Sequence, residues 1–323
     1  MSAPDAPDEF DQIAKLFRPL TRGAPEALDL MDDAAMLTQR AGYDLVLTKD
    51  AIVEGVHFLP ADPPDLVARK LLRVNLSDLA AKGAEPFGYL LAVGWPSSFG
   101  ASARRAFAEG LRKDGEVYGI SLLGGDTVST SGPWFASVTA LGWVPAGRMV
   151  RRAGARPGDL VVVSGPIGDG WLGLKAARGE IADADGALAR RYRLPNPRLD
   201  LRAALREYAG AAADVSDGLV ADAGHIATAS GVRIDLDLAL MPLSTDAARW
   251  VDDQAKAPTA VAALATGGDD YELVFTCAPK SLENLVSAAP EVRVIGRVSY
   301  GEGVAVTYDG EPVALERIGY QHS

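Results

Sequence analysis

Apolar residues recur along this chain with two periods. At three- and four-residue spacing, Leu72, Leu76, Leu79 and Gly83 share one side of residues 69–86, while Asn75, Asp78 and Lys82 share another. The pattern predicts a helix, begun by Asp65, with one side buried and the other facing something polar. Helical spacing also covers 9–19 (Phe10, Ile13, Ala14, Phe17), 102–118, 199–208 and a stretch running through His225 and Ile226. Shorter apolar runs predict strands at 43–50, 88–94, 120–123, 135–144, 160–164 and 271–277, with two short strands at 28–37 around the paired acids Asp32 and Asp33. Helices alternate with strands, an α/β (α+β) reading.

At 323 residues the chain exceeds one typical core. The Gly-, Pro- and Arg-rich segment 145–159 interrupts the apolar pattern, which predicts one domain over 1–147 and a second over 148–323. A formal net charge of −11 with no basic patch argues against nucleic acid or an anionic membrane as partner. An anionic ligand then needs a cation between itself and the protein, and carboxylates suit Mg²⁺. The single cysteine, Cys277, lies in an apolar run and reads as a buried strand thiol. The acidic, proline-containing start lacks a signal peptide's basic and apolar regions, and no apolar run reaches spanning length, so a cytoplasmic location is expected.

Acids then change the picture. Aspartate is a poor mid-helix residue, so Asp78 is either on a solvated side or held there for a ligand. Asp33, Asp50 and Asp126 come from three further elements, each beside small residues. Singly, each reads as a turn or cap residue; as a cluster they would repel one another unless a metal were bound. In the second half, Ser216 suits a helix N-cap with Asp217 in the first turn, and such a terminus also offers a place for a phosphate and its metal. The loop 165–170 resembles a phosphate cradle without matching the P-loop or the dinucleotide fingerprint. His57 is a general base or an ordinary loop histidine. Lys49 and Arg152 are surface cations or partners of phosphate oxygens.

Taken in order, Met31-Asp32-Asp33-Ala34-Ala35, Gly55-Val56-His57-Phe58, Asn75-Leu76-Ser77-Asp78-Leu79-Ala80-Ala81, Gly124-Gly125-Asp126-Thr127, Pro157-Gly158-Asp159, Asp214-Val215-Ser216-Asp217-Gly218-Leu219, Gly267-Gly268-Asp269-Asp270-Tyr271-Glu272 and Gly319-Tyr320-Gln321-His322 resemble the thiamine-monophosphate kinase family. The resemblance implies the two-domain architecture of the aminoimidazole ribonucleotide synthetase superfamily, with an N-terminal ATP- and metal-binding domain that dimerises and a C-terminal domain that closes over the active site. It implies ATP-dependent phosphorylation of thiamine monophosphate to thiamine diphosphate with several Mg²⁺ ions, in a homodimer. By position, Asp33, Thr48, Lys49, Asp50, Asp78, Asp126, Asp214 and Asp217 match the family's metal positions, with Asp78, Asp126 and Asp217 central to catalysis. Gly125, Asp126, Arg152 and Ser216 match its nucleotide contacts, and His57, Asp269 and Arg317 its substrate contacts. The chain departs from the family pattern at Met31 in place of glycine, Lys49 in place of a hydroxyl residue, and Asp269 in place of glutamate. Arg317 stands where some members carry an aromatic. The alternatives are an amide-activating synthetase of the same superfamily and a non-catalytic nucleotide or thiamine-phosphate binding protein.

Overall fold

The apolar runs pair into two sheets. A computed structural model describes residues 9–320; expectations placed on residues 1–8 and on Gln321 and His322 lie outside it. The chain forms two compact units, the first ending at Gly147 and the second beginning at Arg148, with Ala80–Gly83 grouped with the second.

The first unit has four strands, β1 (Tyr43–Val53), β2 (Glu85–Pro96), β3 (Ser121–Thr130) and β4 (Phe135–Pro145), in the order β1-β4-β2-β3. All pairings are antiparallel except β2 with β3. Helices Pro64–Ala81 and Ala101–Tyr118 pack together at Gly110, where a Cβ would lie 2.2 Å from the Asp65 carbonyl oxygen. Asp114, fully buried, accepts from Arg69 Nε at 2.9 Å and Arg73 Nε at 2.6 Å, so the helix pair is also held by a shielded charge triad.

The second unit adds β5 (Leu160–Val163), β6 (Ala209–Asp214), β7 (Arg233–Asp237), β8 (Leu273–Cys277), β9 (Arg293–Ser299), β10 (Gly303–Tyr308) and β11 (Glu311–Pro312), in the order β11-β10-β7-β9-β5-β8-β6. Its core joins Val161, Val163 and Val274 on strands to Leu172, Leu219, Ile226 and Leu264 on helices. Cys277, on β8, is buried, and burial followed by the nearby Asp159 pushes its thiol up to about 11, as expected of an inert strand thiol.

Three expectations are corrected. Residues 28–37 form no strand: a 3₁₀ helix, Pro25–Leu30, passes into turns with Leu28, Asp29 and Leu30 at positive φ. Ala27 and Leu30 pack with Leu123 and Leu141, so the apolar alternation is used for side-chain packing and not for a backbone ladder. Gly124–Thr127 is no turn after a strand, since β3 runs through it. Finally, helix Pro64–Ala81 has no wholly polar side. Leu71, Asn75, Ser77 and Ala80 are fully buried, because sheet and second helix enclose it together.

Candidate functional site

Strand alternation sorts the acids of the first unit. In register, Asp50 stands level with Val138, Leu91 and Gly125, whereas Ala51 stands level with Ser137, Ala92 and Asp126. Residues level with one another share a face and successive residues alternate, so Thr48 and Asp50 face the helix while Lys49 and Asp126 occupy the other face. Asp50 and Asp126 are also three strand spacings apart, roughly 14 Å. The four acids therefore form no single cluster within this unit.

On the helix side, Thr48 Oγ1 donates to Asp78 Oδ2. Asn75 accepts from the Asp50 amide at 3.2 Å through Oδ1, while its Nδ2 donates to the Leu71 carbonyl at 2.9 Å. Asn75 thus anchors the backbone that carries Asp50. Burial, then the Asp78 charge, push Asp50 up to about 6, with Lys49 pulling the other way. The donor set here is hydroxyl and carboxylate oxygen, which fits a hard cation such as Mg²⁺. On the other face, Lys49 Nζ donates to Ser137 Oγ at 2.8 Å, and that hydroxyl donates to the Asp50 carbonyl at 2.9 Å.

Asp33, Gly125 and Asp126 line one cavity of about 520 Å³. Asp33 and Asp126 are both exposed. Gly125 has a backbone reason to be glycine, since a Cβ would lie 2.0 Å from the Leu91 carbonyl oxygen. His57 follows β1 in a tight loop where its Nδ1 accepts from the Val53 amide at 3.1 Å, so the neutral ring carries its proton on Nε2. Trp95 and Trp134 are buried in a ring cluster with Phe58, Phe99 and Phe107.

In the second unit, β6 ends at the buried Asp214 and leads into Val215–Gly218. Ser216 is not the N-cap. The helix is Leu219–Ser230 with Gly218 at its cap, and the amides of Ser216, Asp217 and Gly218 all donate to Asp222 Oδ2, at 3.0, 3.1 and 3.2 Å. Their donors are thereby taken by the protein's own carboxylate. The same holds at 165–170: Asp270, fully buried, accepts from the Gly168 and Gly170 amides, each at 2.9 Å, so this loop is a capped helix start and no phosphate cradle. Burial is the main cause raising both groups, Asp270 to about 8 and Asp222 to about 7, with Asp217 adding to the second and Arg152 opposing it.

The turn after Gly267 closes on that loop. Asp269, at φ +65°, donates its amide to the Ser216 carbonyl at 2.8 Å, and Gly268 passes so close that a Cβ would lie 2.6 Å from the same oxygen. From the C-terminal side the Tyr320 amide donates to the Asp217 carbonyl at 2.8 Å, three residues beyond the exposed Arg317. Ser216, Asp217, Asp269 and the segment carrying Arg317 are thus brought to one place, and Arg152 is close enough to act on the Asp222 charge.

Two neighbours were missed in the sequence. Ligand atoms of Asp217, Asp222 and His225 lie within 4.8 Å of one another. The signal was the three-residue interval between Asp222 and His225 on one helix, visible but not weighed.

Two family models match the chain, AIR synthase related protein, N-terminal domain, over residues 31–144 and the corresponding C-terminal domain over 156–309. The thiamine-monophosphate kinase of Caulobacter vibrioides is 58% identical over 320 residues, 98% of this chain and 91% of the relative. The crystal structure of thiamine-monophosphate kinase from Stenotrophomonas maltophilia K279a superposes with a TM-score of 0.80 at 36% identity, covering 92% of this chain and 97% of that one. A structure described as AaThiL complexed with AMPPCP and TMP gives a TM-score of 0.78 at 34% identity, over 88% and 89%.

Proposed function

Since the chain belongs to the thiamine-monophosphate kinase family, we propose that its two carboxylate-rich units carry out that family's reaction with the residues described above. The chain is an ATP-using phosphotransferase that converts thiamine monophosphate to thiamine diphosphate, a step of thiamine biosynthesis. The observation that carries this is the match along nearly the whole chain to kinases of that name, joined to a neighbour complexed with AMPPCP and TMP.

Donor chemistry supports Mg²⁺ at the acids. Thr48, Asp50 and Asp78 supply hard oxygen donors on the helix side of the sheet, with Lys49 adding its charge from the opposite face; Asp33 and Asp126 supply them at the cavity, and Asp214 and Asp217 in the second unit. Bound there, Mg²⁺ neutralises charge between two anionic reactants, the main demand of phosphoryl transfer. Gly125 and Asp126 border the nucleotide, Arg152 offers a planar fork to its phosphate oxygens, and Ser216 offers a hydroxyl. His57, Asp269 and Arg317 orient thiamine monophosphate. The acceptor phosphate needs no strong general base, because its second pKa is about 6. His57, with Nδ1 already accepting from Val53, acts in binding.

A homodimer formed through the first unit's sheet is supported by Leu47, Leu90 and Val128, all exposed and all on the face away from the helix. No helix among the described residues is long and apolar enough to cross a membrane, which is compatible with a cytoplasmic enzyme.

The deciding experiment incubates the protein with ATP, Mg²⁺ and thiamine monophosphate and follows both products by chromatography, with thiamine and no acceptor as controls. Equimolar thiamine diphosphate and ADP, formed only with the monophosphate, is expected. ATP binding without product would replace this reading by a binding protein.

A further inference from the structure

Three backbone amides converge on one oxygen of Asp222, a carboxylate only 1% exposed. They belong to Ser216, Asp217 and Gly218, the stretch to which the proposed function assigns a nucleotide contact and a metal ligand. The carbonyls beside them are also taken, Val215 by the Tyr271 amide at 2.8 Å, Ser216 by Asp269 and Asp217 by Tyr320. Gly218, at φ +121° with a would-be Cβ 3.0 Å from the Thr266 backbone, has a conformation and a close approach that favour glycine. This loop has no spare backbone donor for a phosphate, and can serve the nucleotide only through its side chains.

We infer that Asp222 is a positioning residue for phosphoryl transfer: by accepting from Ser216, Asp217 and Gly218 it sets the Ser216 hydroxyl and the Asp217 carboxylate in their working places before Mg·ATP arrives. The inference rests on the nucleotide and metal roles proposed for those two residues. Presetting lowers the ordering cost that binding would otherwise carry, so its loss appears first in the KM for ATP. The competing role, direct cation ligation together with Asp217 and His225, needs the negative charge; presetting needs only the acceptor oxygen.

Asparagine keeps the acceptor and loses the charge, and alanine loses both. Steady-state kinetics with ATP and thiamine monophosphate varied separately should show Asp222→Ala raising the KM for ATP about tenfold or more, with Asp222→Asn within about threefold of wild type. Asn as impaired as Ala overturns the inference in favour of a charge role, and Ala with an unchanged KM for ATP overturns it outright. Ser216→Ala tests the underlying reading by itself. It should raise the KM for ATP, and an unchanged value there removes the loop's nucleotide role whatever Asp222 does. Should Asp222→Ala fail to fold, amide exchange on the wild-type protein decides. Protection of residues 216–218 in the free enzyme, unaltered by Mg·ATP, is expected; fast exchange that slows only with Mg·ATP overturns presetting.

Discussion

Asp222 and Asp270 in the second unit and Asp33, Asp50 and Asp126 in the first are held in opposite ways. In the second, Asp222 and Asp270 are buried and surrounded by backbone amides, so their lone pairs are spent on the fold. In the first, Asp33 and Asp126 are exposed, and the Asp50 carboxylate lies close enough to Asp78 to be raised by its charge, while the Thr48 hydroxyl donates to Asp78 and Asn75 holds only the Asp50 backbone amide. The comparison teaches that a conspicuous acid in a glycine-rich turn is not thereby a ligand. An aspartate that several amides have already claimed is a structural part, while one crowded by another acid has a reason to wait for a cation.

The largest effect should come from the first group. Asp78→Asn and Asp126→Asn are expected to cut turnover about 10²-fold or more while the thermal midpoint stays near wild type, checked by product chromatography and a melting curve. Near-normal rates in either would break the comparison. Asp270→Ala should act in the opposite sense, lowering stability on the order of 3 kcal/mol in urea denaturation, because the amides of Gly168 and Gly170 lose their buried acceptor. Turnover lost at unchanged stability would place Asp270 with the functional acids instead.

A smaller effect is expected at Lys49, whose ammonium lies on the sheet face opposite Asp50 yet still lowers that carboxyl's tendency to hold a proton. Lys49→Thr should shift the Mg²⁺ concentration for half-maximal rate by about threefold, and an unchanged titration would show that the lysine neither replaces nor competes with a cation. The last is a pH effect on stability. Asp270 is raised from 3.8 to about 8, so the folded protein retains a proton that the unfolded chain releases above about pH 4. Its contribution is therefore full in acid and is lost as pH climbs through about 8. Denaturation midpoints should decline between pH 5.5 and 8.5, and Asp270→Asn, with no proton to lose, should make that decline shallower, the remainder coming from Asp222. A midpoint rising over this range would contradict the assignment.

Much of the α/β fold was legible, because apolar periodicity reports which side of an element is buried. The helix over Pro64–Ala81, the strands at β1, β2 and β4 and the buried Cys277 strand all follow from local pattern. The failures have two causes, one distant in sequence and one local. Residues 28–37 alternate like a strand but satisfy that alternation against Leu123 and Leu141, partners about a hundred residues away. Ser216 has an N-cap's chemistry, yet Gly218's backbone and the Asp222 carboxylate take over the helix start.

For the site, the sequence by itself determined the family and the reaction, since these depend on residue type and order. Only the tertiary structure decided which donors remain for a ligand. That depends on strand register, which turns Asp50 and Asp126 to opposite faces. It depends equally on where backbone amides turn: those of the loop just before the helix close on Asp222, and those of Gly168 and Gly170, about a hundred residues away in sequence, close on Asp270.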